Sequence, residues 1–111
     1  MSTTVTHRPA ESRFVITEGD SDTVIGELTY ETHGSTADLQ HTEVDPDRRH
    51  HGLGARLVEE ALRTLRADKV RVRPSCPFVA EYIRDHPEYA NLLEPSLVPE
   101  DVEEDTADSR R

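Results

Sequence analysis

The chain has 111 residues, with Lys+Arg 13 against Asp+Glu 23 and a formal net charge of −10. That length suits one domain, and the charge argues against a general nucleic-acid or anionic-membrane binder, which needs a basic surface. No apolar run approaches the roughly 18 residues of a membrane span, the opening MSTTVTHRPAES lacks the apolar stretch of a signal peptide, and the single cysteine, Cys76, has no internal disulfide partner, so a cytoplasmic home is expected.

Residues 1–12 are polar and are expected to form a flexible N-terminus. RFVITEG (13–19) alternates apolar and polar residues, and Gly19-Asp20 begins a turn. TVIGELTYE (23–31) sets Val24, Gly26, Leu28 and Tyr30 on one face and Ile25, Glu27, Thr29 and Glu31 on the other, the period of a half-buried strand. The short gap between the two runs predicts an antiparallel hairpin. THGST (32–36) is a second turn. ADLQHTEV (37–44) is a third strand, with Leu39, His41 and Glu43 on one face, and Pro46 in DPD ends it.

From Leu53 the period becomes helical. Leu53, Leu57, Val58, Ala61, Leu62 and Leu65 share a face, and Glu59 and Arg63 form an i,i+4 pair. KVRVRPS (69–75) returns to strand, with Val70 and Val72 facing the helix. Arg71 and Arg73 lie on the opposite face, where cross-strand pairing with Glu27 or Glu31 is expected. CPFVAEYIRDH (76–86) predicts a second helix with Pro77 at its first position. Phe78, Val79, Tyr82 and Ile83 form its apolar stripe, and Pro87 stops it. The order β-β-β-α-β-α predicts an α/β (α+β) domain over residues 13–93. Its sheet is mixed and mostly antiparallel, of about four strands covered by two helices, with a right-handed crossover joining the third and fourth strands. EPSLVPEDVEEDTADSRR (94–111) is acidic and poor in apolar residues, and is expected to be a disordered tail.

RRHHGLGA (48–55) sits where the third strand meets the first helix. A helix start presents unpaired N–H groups and the positive end of the macrodipole, and glycines let a phosphate approach the backbone. The Lys-Ser/Thr of a P-loop and the third glycine of a dinucleotide fingerprint are both missing. Arg48 and Arg49 are either solvated loop residues or phosphate ligands, and the neighbouring glycines favour the second reading. A metal site is not expected: His50 and His51 are adjacent, and no His-x-x-x-His or Cys-x-x-Cys spacing occurs.

Arg49-His50-His51-Gly52-Leu53-Gly54 reads Arg-x-x-Gly-x-Gly and resembles motif A of the GNAT acetyltransferase superfamily. HTEVDPDRRHHGLGARLV, followed by RVRPSCPFVAEYIRDHPEY, resembles the small, minimal GNAT-like family that carries a Cys-Pro-Phe signature. His50 stands where its relatives usually have glycine. The resemblance implies acetyl-CoA as cofactor. It implies that the backbone of Arg49, His50, His51, Gly52, Leu53, Gly54 and Ala55 cradles the pyrophosphate. The strand end at Glu43 and Val44 would splay and pair with the pantetheine amides, and Cys76, Pro77 and Phe78 would lie near the thioester.

The side chains leave alternatives. Cys76 is either a small buried hydrophobe or a thiol at a helix start that accepts the acetyl group or lines the pocket. His41, with Glu43, is either a hydrogen-bonded structural residue or the general base for an acceptor amine. Tyr82 is either core or a group beside the cofactor that protonates the departing thiolate. The resemblance implies an acetyl-CoA-dependent N-acetyltransferase acting on a small-molecule amine or a protein lysine. The acidic balance and the lack of an apolar span imply no nucleic-acid or membrane partner, and a monomer or weak homodimer is expected. The alternatives are a non-catalytic acyl-CoA-binding or regulatory protein with the same fold, and an interaction module acting through the acidic tail.

Overall fold

Alternating apolar residues in the first half of the chain build an antiparallel meander, and a helical crossover then adds one parallel strand. The computed structural model describes residues 2–19, 21–48 and 52–94. Its elements are β1 (Thr3–Arg8), β2 (Arg13–Glu18), β3 (Val24–His33), β4 (Thr36–Val44), α1 (Leu53–Ala67), β5 (Arg71–Arg73) and α2 (Pro77–Asp85). The strands lie in the order β1-β2-β3-β4-β5 in one sheet, antiparallel except for the β4–β5 pair. Among the described residues no helix is long and apolar enough to cross a membrane.

The sheet has five strands where about four were expected, because residues 3–8, read from sequence as part of a flexible N-terminus, pair with β2. TTVTHR does alternate: Val5 and His7 pair with Ile16 and Phe14. The His7 ring stacks on Phe14 with centroids 4.1 Å apart and shares a 2.7 Å hydrogen bond with the Tyr30 hydroxyl. Burial there lowers the His7 pKa and raises that of Tyr30. Arg56 of α1 donates to the Thr3 hydroxyl, which ties the start of β1 to the helix. The tail expected to begin at residue 94 lies outside the described residues from 95 onward.

Both helices bury their apolar stripes in one core. All six residues on the expected face of α1 are buried, together with Phe14, Ile16, Leu28, Leu39 and Val72 from the sheet. Each such side chain contributes about 1.5–3 kcal/mol on removal from water. Val79 and Ile83 of α2 join them, as do Tyr89, Leu92 and Leu93 from the turn that follows. Glu59 and Arg63 form the expected pair at 3.2 Å.

Two bulges change the expected faces. Thr29 pairs with His41 and Tyr30 with Leu39, so Gln40 is an extra residue in β4. Leu39 therefore points into the core while His41 and Glu43 are exposed on the other face, not on the face they were expected to share with Leu39. A second shift between Ile16 and Thr17 leaves Ile25 extra in β3. Ile25 is buried as a result, and Val24 is exposed.

The last strand is shorter than the sequence predicts. Lys69 adopts a left-handed backbone (φ 60°) after α1, and Pro74 follows the strand, so only Arg71–Arg73 pair with β4. Because β5 neighbours β4, its arginines do not reach Glu27 or Glu31 on β3. Arg73 pairs with Glu94 at 3.0 Å, Arg71 donates to the Asn91 and Leu93 carbonyls, and Glu27 is taken by Arg13 at 2.6 Å.

Gly26 lets β3, the end of β4 and α1 approach one another. A Cβ there would lie 2.9 Å from Ile16 Cγ2, 3.2 Å from the Glu43 carbonyl oxygen and 3.3 Å from Leu57 Cδ1. The Glu43 contact is backbone, and Ile16 and Leu57 are fully buried, so no neighbour gives way easily. Gly26→Ala should destabilise the fold by about 1–3 kcal/mol. Urea unfolding checks this, and an unchanged midpoint would show that the approach is not tight.

Candidate functional site

The open stretch of β4 and the first turn of α1 face each other across a groove of about 530 Å³. Its lining comprises His41, Thr42, Glu43 and Val44 from β4, Arg48 and Gly52 from the connection, Leu53, Gly54 and Ala55 from α1, and Phe78 from α2. β5 pairs with β4 only through Asp38. Beyond it, the Cys76 N–H donates to the Leu39 carbonyl at 2.8 Å, and among the described residues no strand borders β4 on that side from Gln40 to Val44. A strand edge of this kind offers N–H and C=O groups to an extended ligand.

α1 starts at Gly52, whose φ of 71° is left-handed, and no side chain caps the helix. The first helical bond runs from the Arg56 N–H to the Gly52 carbonyl at 3.0 Å. The N–H groups of Leu53, Gly54 and Ala55 precede it and have no partner among the described residues. They are therefore available to an anion, with the macrodipole adding to their charge. Phe78 is 41% exposed and lies over this turn, and a Cβ on Gly54 would meet its ring at 3.1 and 3.2 Å. A second groove of about 500 Å³ continues past Gly52, Ala55 and Phe78 to Glu59, Tyr82 and His86. The residues thus fit a long ligand with an anionic portion at the helix start.

Arg48 lines the groove with its guanidinium already paired. Its Nη2 and Nε donate to Glu18 Oε1 at 2.7 and 3.2 Å, and its Nη1 lies 3.6 Å from Asp45 Oδ2. The hydrogen bond and charge of Glu18 raise its pKa above the ordinary arginine value. The guanidinium is thus held by carboxylates. Arg49, His50 and His51 lie outside the described residues.

Cys76 is buried and belongs to the core cluster; it is absent from the groove lining. It is the residue before the first turn of α2, with Sγ 3.6 Å from the Thr42 hydroxyl oxygen. Pro77 opens α2, as expected. His41 and Glu43 are both in the lining, with His41 Nε2 3.8 Å from Glu43 Oε1 and both side chains well exposed. Tyr82 stacks on His86 with centroids 3.9 Å apart, and the His86 Nδ1 lies 2.8 Å from the Tyr82 carbonyl oxygen. Burial, then the charge of Glu59, pushes the Tyr82 pKa up, so its hydroxyl keeps its proton at neutral pH.

The sequence reading missed Thr42 because the bulge that turns it toward Cys76 left no sign in the alternation. It also missed the grouping of Glu31, His33 and Asp38, whose ligand atoms lie within 4.8 Å of one another at the opposite end of β4. There His33 Nε2 is 2.9 Å from Glu31 Oε1, and the Ser75 hydroxyl donates to Asp38. Only the β3–β4 register brings these residues together; their sequence spacing does not.

Comparison with known proteins gives a family match over most of the domain. The family model described as GCN5-related N-acetyl-transferase matches residues 13–92. A GCN5-like protein from Staphylococcus aureus, solved in solution by NMR, aligns with a TM-score of 0.63 at 18% identity, over 82% of this chain and 87% of that one. The ribosomal-protein-S18-alanine N-acetyltransferase of Escherichia coli aligns with a TM-score of 0.54 at 22% identity, over 67% of this chain and 50% of that one. This chain thus spans about half the length of the Escherichia coli enzyme, and at these identities the likeness is one of fold. A search of curated proteins finds no match.

Gly54 separates stability from groove shape. Alanine is favoured over glycine in a helix by about 1 kcal/mol, and the half-exposed Phe78 ring has room to yield a few tenths of an ångström. Gly54→Ala should therefore leave stability unchanged or slightly raised while shifting the Phe78 ring resonances. Denaturation together with NMR checks this, and a loss above about 1 kcal/mol would mean that the ring is fixed.

Proposed function

Because the chain belongs to the GCN5-related N-acetyltransferase family, we propose that it binds acetyl-CoA along the groove between β4 and α1 and transfers the acetyl group to an amine. The observation that supports this most is the pairing of an uncapped helix start with an unpartnered strand edge in one groove. The two glycines of the Arg-x-x-Gly-x-Gly stretch, Gly52 and Gly54, and Phe78 of the Cys-Pro-Phe stretch border it, in keeping with the minimal GNAT-like family that the sequence resembles.

Acetyl-CoA supplies an acetyl group activated as a thioester. The N–H groups of Leu53, Gly54 and Ala55 would hold the pyrophosphate, with Gly52 giving the backbone its left-handed entry. The free edge at Thr42, Glu43 and Val44 would bind the pantetheine amides. Phe78 would wall the groove and exclude water, and Tyr82 would border its continuation as a hydroxyl donor.

An ammonium has no lone pair, so the acceptor must lose a proton before it attacks. His41, at an exposed rim, would take that proton, with Glu43 3.8 Å away to orient and stabilise the ring. The burial of Cys76 supports direct transfer with both substrates bound, where the thiol packs behind β4 beside Thr42 and accepts no acetyl group.

Isothermal titration with CoA should show binding to the wild-type protein and a loss of about 2 kcal/mol or more in Gly54→Val, as hydrogen bonds to an anion are prevented. Equal affinities in a folded Gly54→Val protein would sink the helix-start reading. An amine panel scored for acetylated product then identifies the acceptor.

Cys76→Ala should retain transfer, with a moderate reduction through packing. Intact mass after incubation with acetyl-CoA alone should show no adduct. Abolished transfer in Cys76→Ala with CoA binding intact, or a stoichiometric acetyl adduct that amine discharges, would establish a two-step route instead.

A further inference from the structure

Glu18 ends β2 and lies outside the groove lining, yet it is bonded to a residue within it. Its Oε1 accepts from both Nη2 and Nε of Arg48. Asp45 meets the same guanidinium at 3.6 Å and is itself fixed on three sides. The Asp45 N–H donates to the Ile25 carbonyl at 2.8 Å, its carbonyl accepts from the Arg48 N–H at 2.8 Å, and its Oδ1 accepts from the Asp47 N–H at 2.9 Å. Arg48 is thus held through backbone and side chain, and it lines the same groove as Gly52 and the uncapped turn. The Glu18 and Arg48 side chains are 22% and 34% exposed, so water screens the pair only in part.

We propose that Glu18 is a positioning residue for donor binding: by clamping Arg48 it fixes the groove wall beside the first turn of α1. This rests on the acetyl-CoA reading above. The opposite role is physically distinct. A carboxylate that merely neutralised Arg48 would withhold a cation from the phosphates, and removing it would make the groove more positive and tighten binding. Positioning predicts the reverse, because the bonds that order the connection matter more than the local charge.

The test compares Glu18→Ala, which removes the clamp, with Glu18→Gln, which removes the charge but keeps an oxygen acceptor. A partly exposed pair contributes little to global stability, so both variants should fold, as their NMR spectra will show. In the ligand-free protein, amide hydrogen exchange at Asp47 and Arg48 should be faster in Glu18→Ala than in wild type and close to wild type in Glu18→Gln. Titration should show CoA binding weakened about fivefold in Glu18→Ala, the size one such pair can carry, and largely restored in Glu18→Gln. Adding Glu18→Ala to Arg48→Ala should weaken binding no further. Unchanged exchange, or CoA affinity equal to or tighter than wild type in Glu18→Ala, would overturn the proposal. If wild-type protein binds no CoA, the functional reading fails by that result alone, while the exchange comparison still judges the clamp.

Discussion

Among the described residues, β4 has a strand beside it on both edges only from Thr36 to Asp38. Past that point β3 continues alongside, but β5 has ended and the chain turns at Pro74 toward α2. A buried strand edge would leave backbone groups without partners at a cost of about 1–3 kcal/mol each, so the open edge must face solvent or a ligand. The start of α1 sits across from it, held close by the absence of a side chain at Gly26. The short β5 thus bares one wall of the groove, and Gly26 sets its distance from the other.

The protein is strongly acidic, and the described arginines that line its groove already have partners: Arg48 is bound to Glu18 and Asp45, and Arg56 donates to the Thr3 hydroxyl. Oriented amides at the uncapped helix start add a source of positive potential that needs no side chain. Backbone donors keep their direction without the rotamer entropy that an arginine must lose. The rim beyond them carries the exposed pair His41 and Glu43, the groups that the proposed transfer assigns to the acceptor amine.

Elements with a clean period were readable in the sequence. The helical stripe from Leu53 to Leu65 and the Pro77 helix start lie where the pattern put them, because their burial follows spacing alone. The strand at Thr3–Arg8 was hidden by its threonines, since its stability comes from pairing with β2 and from the His7–Phe14 stack. Bulges at Gln40 and Ile25 reversed the face of the residues beyond them, which no single-strand periodicity reveals. At the groove, the helix start at Gly52 and Gly54 was legible because a glycine pair stands directly before the helical period. The burial of Cys76 and the capture of Arg48 by Glu18 depend on tertiary neighbours more than thirty or about thirty residues away in sequence, respectively 34 and 30.

The account turns on where the donor sits. NMR titration of the labelled protein with acetyl-CoA measures this at each amide. The account predicts that the largest saturable shifts fall on Leu53, Gly54 and Ala55 and on Thr42, Glu43 and Val44, with little change on β1 or β2. Saturable shifts centred elsewhere on the sheet, with the first turn of α1 unmoved, would contradict it.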